Sequence, residues 1–170
     1  DALNIDANRI GVIGFSAGGH LSACVTHGFD REDCLVDPDG TLDGVSARPD
    51  VAIHCYAVIS SADYAHVSSF RQLLGSNVTE ESADFLSWEK HVHADAPPSF
   101  IWHTVEDTTV PVENAYLLAS ALQKKKIQHE VHIFPNGAHG RGLGTIGDRR
   151  HSSVAQWTSL AQKWLTDLGF

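Results

Sequence analysis

Methionine is missing from this 170-residue chain, and no apolar run approaches the ~18 residues of a membrane-spanning helix. Basic residues are scarce, with 12 Lys and Arg against 21 Asp and Glu, for a formal net charge of −9. The basic cluster Lys124 to Lys126 suits the C-terminal end of a helix better than a phosphate-binding surface. The composition therefore argues against a nucleic-acid-binding protein and against a membrane-spanning one.

Cysteine is also sparse, because Cys24, Cys34 and Cys55 form an odd set without the short spacings of a zinc site. We expect Cys24 and Cys55 to be small buried apolar residues, with no disulfide framework. His91 and His93 lack a third ligand nearby in sequence, so we interpret them as surface histidines and predict no metal site.

The start of the chain lacks a methionine, a signal peptide and any strand ahead of the first apolar run, which begins close to Asp1. We therefore expect the sequence to be the C-terminal part of a larger polypeptide. The compartment stays open, with the cytoplasm as the favoured expectation.

Apolar content of 42% and charged content of 19% are ordinary for a globular protein, and the length suits a single domain over residues 1–170. Strand-like and helix-like segments alternate, which predicts an α/β fold with a parallel sheet. The predicted strands are 9–15, 51–60, 99–103 and 128–134, and the predicted helices are 17–26, 112–125 and 152–168.

Two segments are less regular. Residues 28–50 are polar and turn-rich, which predicts a loop excursion. Residues 62–97 contain several large apolar side chains and have two open interpretations: a cap or lid over a cleft, or packing against the sheet edge.

The most informative motif is Gly14-Phe15-Ser16-Ala17-Gly18, a G-x-S-x-G sequence between a predicted strand and a predicted helix. This order favours a nucleophile elbow, a strained turn that lifts the serine hydroxyl clear of the sheet. Gly14 and Gly18 should be needed because the strand and the helix pass close together there. Ser16 is therefore the candidate nucleophile, and the Ala17 backbone N–H is the candidate oxyanion donor.

An activated serine needs a histidine within hydrogen-bond reach and a carboxylate that orients the histidine. Asp107 follows the third predicted strand and His139 follows the fourth. Because parallel strands end at one edge of a sheet, we expect Ser16, Asp107 and His139 to meet there. Glu106 is an alternative acid. His20, one turn after Ser16, either braces the neighbouring oxyanion loop or fills space.

Four blocks follow one another along the chain: 14–21 (GFSAGGHL), 46–50 (SARPD), 102–111 (WHTVEDTTVP) and 132–140 (HIFPNGAHG). Together they resemble the esterase/lipase group of the α/β-hydrolases, in particular small acetyl-xylan-esterase-like carboxylesterases. The resemblance implies the C-terminal half of an α/β-hydrolase fold, with about four parallel strands flanked by helices. It also implies a serine hydrolase without metal or cofactor, and supports Ser16, Asp107 and His139 as its catalytic residues.

The chain departs from that family at its start. The strands and helices that precede the elbow are absent, and so is the His-Gly-Gly-Gly-like run that supplies further oxyanion donors. The elbow strand should then have an exposed apolar edge. We expect an N-terminal segment or another copy of the chain to cover this edge, and we expect weak catalysis from the isolated chain.

Three functions are open at this point. The leading one is hydrolysis of short acyl esters, including acetyl groups on sugars or xylan fragments. A serine peptidase related to prolyl oligopeptidase has the same order of parts. A non-catalytic half-domain that binds or assembles is the third, although the full set of Ser16, Asp107 and His139 favours an enzyme.

Overall fold

The computed structural model describes residues 5–31, 39–40, 44–145 and 152–170. Cys34 and much of the loop predicted at 28–50 lie outside the described residues.

Within the described chain, four parallel strands form a sheet in the order β1-β2-β3-β4. The strands are β1 (Gly11–Phe15), β2 (Val51–Cys55), β3 (Ser99–Thr104) and β4 (His129–Phe134). Neighbours in sequence are neighbours in the sheet, as consecutive βαβ units require. The predicted α/β fold with about four parallel strands flanked by helices is confirmed.

The helices are α1 (Ala17–Gly28), α2 (Val67–Leu74), α3 (Glu80–Phe85), α4 (Glu113–Lys124), α5 (Ser152–Ala155) and α6 (Trp157–Asp167), and a 3-10 turn spans Trp88–Lys90. The helix predicted at 152–168 is interrupted at Gln156. There the backbone N–H bonds to the carbonyl of Ser153, three residues back, at 3.3 Å. None of the helices in the described chain is long and apolar enough to cross a bilayer.

Helices cover both faces of the sheet. On one face, Ala23 of α1 and Leu118 of α4 belong to a core that includes Ile101. On the other face, Trp164 of α6 packs with Phe100 of β3. β2 and β3 are buried along their whole length, as central strands of a covered parallel sheet should be.

β2 ends at Cys55, whereas the apolar pattern predicted a strand over 51–60. The cause is Tyr56, whose φ of 37° turns the chain out of the extended conformation. Residues 57–60 stay buried as a loop, and the Asn114 side chain accepts two of their backbone N–H groups at 2.9 and 3.0 Å. The sequence thus predicted burial correctly and the end of the strand wrongly.

β1 lies at the edge of the described sheet and is poorly covered. Ile13 is 50% exposed, while Ile53, its partner on β2, is 8% exposed. Ile10, directly before β1, is exposed as well. The exposed apolar edge expected from the sequence is therefore present in the described part of the chain.

Residues 62–97 form α2, α3 and the 3-10 turn. Trp88 is fully buried, and its Nε1–H donates to Nε2 of His20 on α1 at 3.2 Å. The segment and α1 together line a mostly apolar cavity of about 880 Å³ that reaches Ala17. The segment therefore packs on the fold and also borders a cleft, so its role as a cap stays a prediction.

Candidate active site

Ser16 occupies the turn between β1 and α1 in a strained conformation, with φ 55° and ψ −118°. Its N–H donates to the Cys55 carbonyl at 3.0 Å, and its carbonyl accepts the Val58 N–H at 3.2 Å. The end of β2 and the loop after it therefore hold the turn from both sides. The Ser16 side chain makes no capping hydrogen bond to α1, so its hydroxyl is free to face another partner.

Glycines allow the close approach of strand and helix at this turn. A Cβ on Gly14 would lie 2.1 Å from the Gly18 carbonyl oxygen, and a Cβ on Gly19 would lie 2.4 Å from the Ala57 Cβ. A Cβ on Gly18 would meet nothing within 4 Å in the described chain. The tight positions are thus Gly14 and Gly19, whereas the sequence analysis named Gly14 and Gly18.

Three side chains form a hydrogen-bonded row. Ser16 Oγ lies 2.7 Å from His139 Nε2, and His139 Nδ1 lies 2.6 Å from Asp107 Oδ2. Because an ionised carboxylate only accepts, we assign the hydrogen to Nδ1, which leaves Nε2 to accept from the serine hydroxyl. The structure therefore brings together the three residues that the sequence singled out as nucleophile, base and acid.

The loop after β3 holds the Asp107 carboxylate. Its Oδ1 accepts the backbone N–H groups of Thr109 and Val110, each at 2.9 Å, and its side chain is 1% exposed. Burial raises the pKa of Asp107, but hydrogen bonds from His103, His139 and the Val110 backbone outweigh this and hold the pKa well below its usual range. The carboxylate is therefore ionised at neutral pH.

His103 on β3 is a neighbour of the acid that the sequence analysis missed. It is fully buried, and its Nε2 lies 2.9 Å from the Val110 carbonyl and 3.3 Å from Asp107 Oδ2. Both neighbours are acceptors, so we assign the hydrogen to Nε2. The available signal was a polar residue within a strand buried throughout, four positions before the acid.

Glu106, the alternative acid, does not face the histidine ring. Its Oε2 accepts the Gly137 N–H at 2.8 Å, and its Oε1 accepts from Asn136 Nδ2 at 3.0 Å. Thr104 Oγ1 donates to the Gly137 carbonyl at 2.6 Å. Glu106 and Thr104 therefore hold the loop that carries His139, two residues before the ring.

His20 lies between the Ser16 turn and the segment 62–97. Its Nδ1 donates to the Val58 carbonyl at 3.1 Å, while its Nε2 accepts from Trp88. Burial lowers the pKa of His20, and the bond to Val58 offsets part of that effect. Since the Val58 N–H in turn bonds to the Ser16 carbonyl, His20 is linked to the Ser16 turn through Val58.

Cys55 is buried, and burial raises its pKa to about 12. Cys24 is only partly buried and borders the cavity, so the predicted burial holds for Cys55 and not fully for Cys24. His91 and His93 are half-buried, and 25% of the His93 side chain is exposed. No group of three His, Cys, Asp or Glu in the described chain could hold a metal.

Comparison with known proteins places this chain in a family. The BD-FAE family profile matches residues 1–122. The chain is 44% identical to endo-1,4-beta-xylanase B of Butyrivibrio fibrisolvens over 81% of this chain and 21% of that protein. It is 29% identical to the acetylxylan esterase of Xylanibacter ruminicola over 98% of this chain and 30% of that protein.

A solved structure is similar over almost the whole chain. The acetyl ester-xyloside bifunctional hydrolase from Caldicellulosiruptor lactoaceticus superposes with a TM-score of 0.89 at 46% identity, covering 99% of this chain and 60% of that one. The chain spans less than a third of the length of the two curated relatives, the xylanase and the acetylxylan esterase. The likeness confirms the predicted resemblance to esterase-type α/β-hydrolases. Because the family profile matches most of its length, the chain belongs to the BD-FAE family.

Proposed function

We propose that this chain supplies the catalytic residues of a serine esterase, with Ser16 as nucleophile, His139 as base and Asp107 as the acid that orients the base. The observation that carries the proposal is the hydrogen-bonded row, with separations of 2.7 and 2.6 Å. A serine within reach of a histidine that is itself held by a carboxylate is the arrangement that acyl transfer requires.

The steps follow from this geometry. Ser16 Oγ attacks the ester carbonyl while His139 Nε2 takes the hydroxyl proton, and the ionised Asp107 stabilises the imidazolium. His139 then returns the proton to the leaving alcohol, which departs and leaves an acyl-enzyme. Water then attacks the acyl carbonyl while His139 Nε2 takes its proton. The bond between the acyl carbon and Ser16 Oγ breaks, the proton passes from Nε2 to Oγ, and the carboxylic acid leaves.

The tetrahedral oxyanion needs hydrogen-bond donors, and we assign the Ala17 backbone N–H as one of them. Ala17 begins α1, whose positive end has no acidic residue in its first turn. One such donor typically contributes about 3–4 kcal/mol of barrier lowering.

The proposed substrates are short acyl esters, with acetyl groups on sugars or xylan fragments favoured. The support is the acetylxylan esterase and the acetyl ester-xyloside hydrolase among the similar proteins. We further propose that residues 62–97 act as a cap, since with α1 they line the cavity that reaches Ala17.

The test is done on the natural protein. It should hydrolyse p-nitrophenyl acetate, release acetate from acetylated xylan and be labelled by a fluorophosphonate probe. Ser16→Ala should abolish labelling and lower kcat by about 10⁶-fold, whereas Ser120→Ala, which changes an exposed serine on α4, should change neither. Labelling that survives Ser16→Ala would overturn the assignment. Preference for a prolyl amide would favour the peptidase alternative, and a folded protein without labelling would favour the non-catalytic one.

We also propose that further polypeptide covers the β1 edge, either preceding sequence or a second copy of the chain. The exposed Ile13, together with Ile10 directly before β1, supports this, because an apolar strand edge is an open site for pairing. Sedimentation of the natural protein separates the alternatives. A monomer whose Ile13 amide is protected from hydrogen exchange indicates covering sequence, a dimer indicates a second copy, and an unprotected monomer contradicts both.

A further inference from the structure

We propose that Tyr56 is a positioning residue that sets the His139 ring opposite Ser16. It directly follows β2 and lies in sequence between Cys55 and Val58, whose backbone groups hold the Ser16 turn. Its side chain contacts the loop that carries His139. The inference rests on the esterase function proposed above. Three observations support it: a backbone conformation, a ring contact and a hydrogen bond.

The backbone of Tyr56 is strained. In the described chain, the non-glycine residues with positive φ are Ser16 at 55°, Tyr56 at 37° and Lys126 at 61°. Lys126 lies just beyond the C-terminal end of α4, where a left-handed residue is common. Tyr56 follows a strand and not a helix. A bulky residue keeps this conformation only where surrounding contacts impose it. Its neighbour Cys55 accepts the Ser16 N–H, so one hydrogen bond links the two strained sites.

The Tyr56 ring contacts the base directly. It is 6% exposed, and it meets the His139 ring in a T-shaped contact with centroids 5.1 Å apart at 78°. It also packs against Trp102 at 4.9 Å and 79°. The ring therefore connects the imidazole to the fixed interior of the sheet, and it restricts rotation of His139 away from the serine.

The Tyr56 hydroxyl holds the segment after the base. It accepts the Gly142 N–H at 3.2 Å, while Trp157 Nε1 donates to the Gly142 carbonyl at 2.9 Å. Gly140 and Gly142 both have positive φ, and glycines supply little rigidity of their own. The position of this loop therefore depends on the side chains of Tyr56 and Trp157. Tyr56 contacts both the loop and the His139 ring.

The test compares Tyr56→Leu and Tyr56→Phe with Phe100→Leu in the natural protein. Phe100 is fully buried in the same apolar cluster, but its ring contacts are with His132 and Trp164. It is a matched control because its truncation removes a core ring of similar size that contacts His132 and Trp164 instead of the imidazole.

With p-nitrophenyl acetate, Tyr56→Leu should lower kcat about 100-fold at unchanged KM, because a misplaced base has an effect of that size. Tyr56→Phe keeps the ring and loses the acceptor, so kcat should fall by up to about tenfold. Phe100→Leu should keep the wild-type kcat at temperatures where it is folded, whatever its loss of stability.

A second readout does not depend on turnover: the proton resonance of the His139 Nδ1–H bonded to Asp107. It should shift or broaden in both Tyr56 variants and stay unchanged in Phe100→Leu. If Tyr56→Leu does not fold, Tyr56→Phe decides through both readouts. Wild-type kcat together with an unchanged resonance in the folded Tyr56 variants would overturn the inference. A wild-type protein without Ser16-dependent activity contradicts the esterase proposal instead, and the resonance still decides the role of Tyr56.

Discussion

The loops after β3 and β4 differ from the β1 edge in how they are held. The loops that carry Asp107 and His139 are tied together by Glu106 and Thr104, with partners in the described chain. The β1 edge, by contrast, exposes Ile13 and other apolar side chains. Asp107 and His139 are therefore positioned by the described chain itself, whereas the β1 side of Ser16 is left uncovered by the described residues.

The strongest way to break this comparison is to change the proposed acid, Asp107. Asp107→Asn should lower kcat with p-nitrophenyl acetate by about 10⁴-fold, because an amide cannot stabilise the imidazolium or select its tautomer. Glu106→Gln is the matched control, since it changes the adjacent carboxylate. It should lower kcat by at most about tenfold, because only hydrogen bonds to the loop weaken. Equal losses in the two variants would contradict the assignment of Asp107.

The second comparison uses the glycines of the serine turn. Gly14→Ala should lower the free energy of unfolding by about 3 kcal/mol or more, because its Cβ would lie 2.1 Å from a backbone oxygen. Gly18→Ala should stay within about 1 kcal/mol of the wild type, as a helix position with open space around it. Urea unfolding measures both. A large loss at Gly18 would mean that something covers this side of α1.

The third prediction concerns pH and the layer between α1 and β2, where the buried rings of His27 and His54 stack. Burial lowers the pKa of His54 to about 4. The pKa of His27 is well below its usual value, mainly because of burial and secondly because of the nearby His54. Unfolded histidine titrates near pH 6.5. As the pH falls from about 6.5 to about 4, the unfolded state binds more protons, so stability is lost over that window.

For His54 this loss amounts to about 3 kcal/mol, which urea unfolding across the window measures. His54→Leu should flatten the pH dependence, and Ser22 keeps its bond to the Gly19 carbonyl at 2.9 Å in that variant. An unchanged slope in His54→Leu would show that other groups cause the acid sensitivity.

The smallest effect should come from the open edge. Ile13→Ala should lower the free energy of unfolding of the 170-residue chain by about 1 kcal/mol or less, because half of the side chain is already in water. Ile53→Ala, at the paired position on β2, should cost about 2–5 kcal/mol. In the natural protein, a loss at Ile13 that approaches the loss at Ile53 would show that the edge is covered there.

The sheet and the main site residues could be predicted because their signals are local. Apolar runs marked the strands, and Ser16, Asp107 and His139 each follow one of them. A parallel topology then places the ends of those strands at one edge. Motif, spacing and strand order predicted that Ser16, His139 and a carboxylate at 106 or 107 would meet, and the family resemblance favoured Asp107.

The remaining features depend on contacts between distant segments. Gly19 is tight because Ala57 approaches it, and Tyr56 leaves the strand because its neighbours hold Ser16. His103 resembles any polar residue in a strand until the fold brings Val110 and Asp107 to its ring. Such positions carry at most a weak local pattern, so a single sequence does not assign their roles.

The row of three side chains also has a kinetic consequence. Asp107 and His139 are 32 residues apart in sequence, whereas Ser16 and His139 are 123 apart. Contacts between distant segments are slow to form, since a long loop must close before they stabilise anything. During refolding from denaturant, the acid–base pair should therefore form ahead of the contact with the serine, and recovery of reactivity should follow the slowest phase of chain assembly.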